Sequence, residues 1–274
     1  MDIDSVRKKK DALKSMLKDM PSLLVAFSGG VDSSFLLAVA HGVLKDRVTA
    51  ATADSITFPS RERQEAIEFA GRLGVEHIMF KSDESAILEF TANGPDRCYF
   101  CKKALSAKLK KIAEEKGIGH IAFAANVDDL KDYRPGTRAA EEMGIISPLM
   151  DAGLNKEEIR FLSKDMGLAT WDKPSMACLA SRIPYGTHIT PEKLRTVEEA
   201  EDFLLNMGFK QIRVRHHGPV ARIEAAQTDL SRFLEEDLRI KIVKRFRELG
   251  FNHISLDLEG FVSGSMNRSL QDKY

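Results

Sequence analysis

The sequence predicts an α/β fold: a doubly wound, mostly parallel sheet followed by a smaller α+β domain. Three observations predict it. A continuous apolar run, Leu23-Leu24-Val25-Ala26-Phe27, ends in Ser28-Gly29-Gly30 and passes directly into a helical pattern from Ser33 to about Leu44. Strand-like and helix-like segments then alternate as far as Ala124, which is the signature of βαβ units. Beyond Asn155 the alternation stops, and a polar, Pro- and Gly-marked stretch over 172–190 precedes a helix and two short apolar-polar runs. The expected division is a first domain over 1–168 and a second over 169–274.

The elements follow in order. Val6, Leu13, Met16, Leu17 and Met20 recur at helical spacing among lysines, so 4–20 is a solvated amphipathic helix. Further strands are expected at 48–53, 77–80 and 118–124, with helical segments at 60–73, 84–91 and 100–116. Asn155 followed by Glu158 has the form of a capping box and opens a helix to about Met166. Thr190-Pro191-Glu192 is a second strong start, with a hydroxyl cap and proline at the first helical position, for a helix to Met207. Strands at 211–215 and 220–225 flank a His216-His217-Gly218-Pro219 turn. A helix over 230–249 and a strand over 253–258 complete the pattern.

Composition limits the function. Lys+Arg and Asp+Glu are both 41, so the net charge is zero and no overall basic field is present to gather nucleic acid. No run is long and apolar enough to span a membrane. Three cysteines are too few and too odd in number for a disulfide framework, which points to reducing cytosol and leaves them to be explained chemically.

Ser28-Gly29-Gly30-Val31-Asp32-Ser33 lies at the strand-to-helix turn. There glycines let the backbone curl and helix-start amides face an anion, so the turn suits phosphate. Asp32-Ser33 stands where a kinase-type phosphate loop has lysine and a hydroxyl. An aspartate there repels a bare phosphate unless a cation such as Mg²⁺ mediates, which suggests metal-bound pyrophosphate. The string resembles the PP-loop ATP pyrophosphatases, which cleave ATP to AMP and pyrophosphate by adenylating a substrate oxygen. That resemblance implies a nucleotide alpha hydrolase-like fold. It also places Asp54, at the end of the second strand, and the run Asn126, Asp128, Asp129 and Arg134 beside the nucleotide. An Asx-rich turn is the plainer reading of 126–129.

Pro174 to Gly186, with Cys178, Ser181 and Arg182, together with Leu256-Asp257-Leu258-Glu259-Gly260-Phe261 and Ser263-Gly264-Ser265-Met266-Asn267, resembles the LarE sulfur transferases over nearly the whole chain. What this resemblance implies is adenylation by ATP and Mg²⁺ of a carboxylate on a pyridinium dicarboxylate mononucleotide. Conversion to a thiocarboxylate for a nickel-pincer cofactor then follows, in a cytoplasmic homo-oligomer built through the smaller domain. In single-cysteine members the sulfur comes from the residue matching Cys178. Beside Cys178, Arg182 with Ser181 is placed in sequence to lower the thiol pKa and hold departing phosphate.

Cys98-Tyr99-Phe100-Cys101 departs from the single-cysteine pattern. It is expected just before a helix, where amides stabilise thiolates. A CxxC alone reads as a redox pair, half a zinc site or two chance cysteines. With Cys178 as third ligand, three thiolates fit a [4Fe–4S] cluster with one iron open to sulfide, and three-cysteine members of the family are associated with such a cluster. Arg213, Arg215, Arg222 and Glu224 alternate onto one face of the hairpin. There they either hold the substrate's phosphate or second carboxylate or form an exposed charge ladder. The competing functions are a cluster-dependent tRNA thiolase, which neutral charge argues against, and a nucleotide-binding iron–sulfur scaffold without turnover.

Overall fold

A computed structural model describes residues 1–131, 135–175, 177–262 and 264–268. The elements are α1 (Ile3–Lys18), β1 (Leu23–Ala26), α2 (Val31–Leu44), β2 (Val48–Asp54), α3 (Ser60–Leu73), β3 (Glu76–Lys81), α4 (Leu88–Thr91), α5 (Arg97–Lys116), β4 (His120–Ala122), α6 (Pro135–Glu142), α7 (Pro148–Asp151), α8 (Lys156–Asp165), α9 (Pro191–Asn206), β5 (Ile212–His217), β6 (Val220–Ala225), α10 (Glu236–Glu248) and β7 (His253–Leu256).

The chain divides into two interleaved units. One comprises Met1–Asp83 with Cys98–Met176, the other Glu84–Arg97 with Ala177–Tyr274. The continuous division at 168/169 expected from the sequence is therefore replaced by one in which 84–97 joins the later part of the chain. Asn93 shows why. It is fully buried at φ 57°, and its Nδ2 donates to the carbonyls of Pro184 at 2.8 Å and Thr187 at 2.9 Å. Its own carbonyl accepts from the Gly186 amide at 3.0 Å. Such long-range bonds have no local sequence signal.

In the first unit a parallel sheet runs in the order β3-β2-β1-β4. The strand period of two explains the double winding. Leu23 and Val25 of β1 point into a core with α1, α2, α3 and α8, whereas Leu24 points into one with Leu109 and Ala113 of α5. The helix α2 is apolar nearly all round because it is buried nearly all round. The doubly wound parallel architecture is thus as the sequence predicts.

In the second unit β5 and β6 form an antiparallel hairpin, and α10 carries the chain across to β7, which lies parallel to β6. Ile212, Val214, Ala221, Ile223 and Ala225 face a core with Leu204, Phe209 and Phe246. Gly260 follows β7 at φ 70°, where a Cβ would stand 2.7 Å from the Ala225 carbonyl, so the Leu256–Phe261 string needs glycine there. The last strand ends at Leu256, two residues before the expected 258, and two further boundaries differ. The strand β5 continues through His217, which pairs with Val220, so the turn is Gly218-Pro219 alone. The helix expected from Leu230 starts as a 3-10 stretch, Gln227–Leu234, and becomes α-helical only after the extended Glu235 (φ −62°, ψ 125°).

Candidate active site

The strand order reverses between β1 and β4, and at such a switch point the turns at the strands' carboxyl ends leave a crevice for ligand. The turn after β1 is the glycine loop. Gly29 is buried at φ 65°, and a Cβ on it would meet the Ala66 Cβ at 3.1 Å, so both conformation and space require glycine. Gly30 is the N-cap of α2 and offers no side chain to cap the amides of its first turn. Those amides are left for an anion. Ser33 Oγ secures the loop from within, donating to the Gly30 carbonyl at 3.2 Å, accepting from the Ser28 amide at 3.3 Å, and lying 3.1 Å from Ser28 Oγ.

Asp32 sits in the first turn of α2. Its Oδ2 accepts from Lys156 Nζ at 2.6 Å, and its Oδ1 is buried without a partner among the described residues. Burial raises the Asp32 pKa above the ordinary aspartate value by more than Lys156 lowers it. A buried carboxylate oxygen with no protein partner among the described residues, beside uncapped amides, suits a divalent cation carrying phosphate. The residues present therefore fit Mg·ATP.

The turn after β4 is the Asx turn that was the plainer reading. Asn126 Oδ1 accepts from the Asp128 amide at 2.9 Å, and Asp129 Oδ2 accepts from the Asn126 amide at 3.0 Å. Asp128 Oδ2 accepts from the Lys156 amide at 2.9 Å. Arg134, and with it Asp132 and Tyr133, lies outside the described residues. Asp54 is at the carboxyl end of β2 as expected, with its carboxylate paired to Arg63 of α3. Two lysines that sequence reasoning did not single out complete this end of the sheet. Lys156 bridges Asp32 to the β4 turn. Lys173 is half-buried against Glu62 at 2.5 Å and Glu65 at 2.7 Å and donates to the Gly29 carbonyl at 3.1 Å, fastening the glycine loop to α3. The Asn155-Glu158 capping box, which was legible, is the only local hint of Lys156.

In the other unit, Cys178 is exposed and caps a 3-10 turn, Leu179–Arg182. Arg182, expected to lower the thiol pKa and hold departing phosphate, has its donors turned to Glu201, to Ser181 and to the backbone. It is fully buried, forks onto Glu201 with Nε at 2.8 Å and Nη2 at 2.9 Å, and turns Nη1 to the carbonyls of Ala177 and Cys178 at 2.7 and 3.2 Å and to Ser181 Oγ at 2.9 Å. A guanidinium with its charge neutralised and its donors committed cannot hold a departing phosphate. Its work is to fix the backbone around Cys178. Glu201 also accepts from the edge amide of Val214 at 2.8 Å, and neither Glu201 nor Asn93 was signalled by the sequence.

The arginine face of β5–β6 is not a solvated ladder. Arg213 and Arg215 are buried, at 4% and 5% exposure, and Arg215 forks onto Glu224 at 2.9 and 2.6 Å. Arg222 pairs with Glu224 and Asp257, yet its Nε is buried without a partner among the described residues. Burial, with Arg182 and Arg215 close by, pushes the Arg213 pKa down to about 10. Ser265 Oγ lies 3.4 Å from both Arg215 Nη2 and Glu224 Oε1, which places the Gly264–Asn267 string on this face. Ser263 of that string lies outside the described residues.

Cys98 and Cys101 are inside α5 rather than before it, because the helix begins at Arg97, just after Pro95-Asp96, and the Arg97 amide bonds the Gly94 carbonyl. Spaced by three, they share a helix face, with Cys98 exposed and Cys101 half-buried. The donor chemistry of three thiols suits iron–sulfur ligation. Among the described residues, however, no three His, Cys, Asp or Glu gather in a metal-holding group, so no step is routed through a cluster below. Nor is any described helix long and apolar enough to cross a membrane.

The family model of asparagine synthase matches residues 9–96, which include the glycine loop. The chain is 40% identical over 262 residues to an uncharacterized protein of Synechocystis sp., covering 96% of this chain and 98% of that one. It is 37% identical over 263 residues to the pyridinium-3,5-bisthiocarboxylic acid mononucleotide synthase of Lactiplantibacillus plantarum, covering 96% and 95%. A tRNA-cytidine(32) 2-sulfurtransferase of Cereibacter sphaeroides is 29% identical over 133 residues, covering 46% and 45%.

Proposed function

The chain belongs to the LarE family of PP-loop sulfur transferases, and from that premise we propose that it uses ATP to turn a carboxylate of a pyridinium dicarboxylate mononucleotide into a thiocarboxylate. The observation that carries the ATP half is the uncapped start of α2 beside the unpartnered Asp32 Oδ1. The near full-length likeness to a bisthiocarboxylic acid mononucleotide synthase supports the substrate half.

The chemistry balances in two substitutions. A substrate carboxylate oxygen attacks the α-phosphorus of ATP and pyrophosphate leaves, held by the amides of 31–33; Asp32 is the residue that would hold a Mg²⁺ ion, which would neutralise the charge of the leaving group. A sulfur nucleophile then attacks the acyl carbon, and AMP leaves with the former carboxylate oxygen. Ser28, Gly29, Gly30 and Ser33 shape the pyrophosphate site, and Asn126, Asp128 and Asp129 border it. The Nε of Arg222, without a partner among the described residues, supports this hairpin as the holder of the substrate's phosphate or second carboxylate, with Arg213 beside it and the Arg215–Glu224 pair holding the face in shape. Cys178 is the thiol on the sulfur side, and Cys98, Cys101 and Cys178 together are the proposed ligands of a [4Fe–4S] cluster that would offer sulfide at its fourth iron. Assembly as a homo-oligomer through the second unit and action in the cytoplasm belong to the same reading.

The test is anaerobic incubation of the full chain with ATP, Mg²⁺ and the dicarboxylate mononucleotide. Substrate-dependent release of AMP and pyrophosphate, with a product in which sulfur has replaced one oxygen by mass, is expected. Release of ADP, or sulfur transfer to tRNA in place of the mononucleotide, overturns it. Iron and acid-labile sulfide counted per chain decide the donor. Cys98→Ala is expected to abolish both the cluster and repeated turnover. Near-zero iron in fresh protein, with one sulfur lost from Cys178 after reaction, assigns the sulfur to Cys178 itself.

A further inference from the structure

The glycine loop is held from behind, through its carbonyls. The Phe27 carbonyl accepts from Thr52 Oγ1 at 2.7 Å, and the Gly30 carbonyl accepts from Ser33 Oγ at 3.2 Å and from the Ser34 amide at 2.9 Å. Those donors belong to β2 and to α2 itself. The Gly29 carbonyl has a different partner, Lys173 Nζ at 3.1 Å, which comes from 144 residues further along the chain. Among the described residues nothing else holds the peptide between Gly29 and Gly30, and the Gly30 amide has no partner.

A trans peptide is planar, so its N–H points opposite to its C=O. With the Gly29 carbonyl turned onto Lys173, the Gly30 amide is therefore turned away from that lysine and its carboxylates. The loop's own residues do not impose this orientation. Turning the peptide over would carry Gly30 from φ −77° to the positive side, where glycine rests at little cost and alanine is strained.

Lys173 is placed to hold the loop rather than to bind a ligand. The three donors of its ammonium meet three acceptors, the Gly29 carbonyl, Glu62 at 2.5 Å and Glu65 at 2.7 Å, so none is left over. Its backbone is pinned in turn by Arg160 of α8, which donates to the carbonyls of Trp171 at 2.8 Å and Lys173 at 2.7 Å.

We propose that Lys173 is a positioning residue that turns the Gly30 amide toward the phosphates of ATP. With the lysine in place, the loop offers that amide together with those of 31–33. Without it the Gly29–Gly30 peptide divides between two orientations, and the second presents a carbonyl, which repels phosphate. Affinity then falls with the fraction of chains turned the wrong way. The inference rests on the ATP reading above.

Calorimetric titration of the full chain with inorganic pyrophosphate and with ATP, each at saturating Mg²⁺, tests it. If the unaltered protein binds neither, the ATP reading itself has failed. Given binding, Lys173→Met is expected to lose about ten- to a hundredfold in affinity for both. Adding Gly30→Ala to that variant should recover affinity severalfold, because alanine bars the turned-over peptide; a merely structural lysine gives no such rescue. Equal affinity of Lys173→Met and the parent overturns the proposal, and so does a double variant that binds no more tightly than Lys173→Met. Should the lysine variant fail to fold, nuclear magnetic resonance of the unaltered protein labelled with ¹⁵N-glycine decides. The Gly30 amide proton must move downfield when pyrophosphate saturates the protein, and an unmoved resonance overturns the proposal.

Discussion

At the start of α2, Asp32 leaves one buried oxygen unpaired and the helix amides uncapped. In the second unit, Arg182 and Glu201, and Arg215 and Glu224, meet in two-point contacts that use both members fully. Both regions place ionised groups out of water, but Asp32 keeps one oxygen open where these two pairs close on each other. The buried pairs hold a loop and a hairpin in one conformation. The open turn keeps an electrostatic need that a cation and a phosphate can meet, at the expense of stability while they are absent. Satisfaction of polar groups therefore separates scaffold from binding site more sharply than burial does.

Breaking the closed region should have the largest effect. Arg182→Met leaves Glu201 buried without its cation and frees the Ala177 and Cys178 carbonyls, and is expected to cost about 3–5 kcal/mol in denaturant unfolding. A loss under about 1 kcal/mol would show the pair to be no anchor. In the open region, Gly29→Ala should cost about 1–3 kcal/mol, because the residue is left-handed and its Cβ meets Ala66. Gly30→Ala, at φ −77° with only Ser28 Oγ near, should stay within about 0.5 kcal/mol. Similar losses for the two would refute the steric account of the loop.

The smallest effect has an informative sign. With its pKa raised in the folded chain, Asp32 contributes stability that is present when it is protonated and lost as pH rises through the raised value. Asp32→Asn should therefore melt above the parent at neutral pH without nucleotide. That gap should close as pH falls toward the ordinary aspartate range, while ATP binding weakens. A lower melting temperature at neutral pH would mean that the contact with Lys156 outweighs burial.

What the sequence revealed follows the same division. The strand, glycine turn and apolar helix from Leu23 to Leu44 were legible because each residue's preference is local and agrees with its neighbours. The capping signals at Asn155 and Thr190 were legible for the same reason. Alternation correctly put Arg213, Arg215, Arg222 and Glu224 on one face, but it could not say that α9 and the Gly264–Asn267 string meet that part of the fold, so the burial of Arg213 and Arg215 was invisible. Arg182 was read from its nearness to Cys178 in sequence, whereas Glu201, nineteen residues on, decides its role. The reach from Lys156 to Asp32 has no local trace at all.

Asn93 carries a consequence in time. Its Oδ1 accepts from nearby Arg97, but the bonds that its Nδ2 makes wait until residues 183–187 exist, about ninety residues further along the chain. At ordinary rates of synthesis that is a wait on the order of ten seconds. During that interval the segment 84–97 must stay open while β1, β2 and β3 are already outside the ribosome. The helix bearing Cys98 and Cys101 starts from that segment, so the first two thiols gain their settled upstream anchor only after the third has been made.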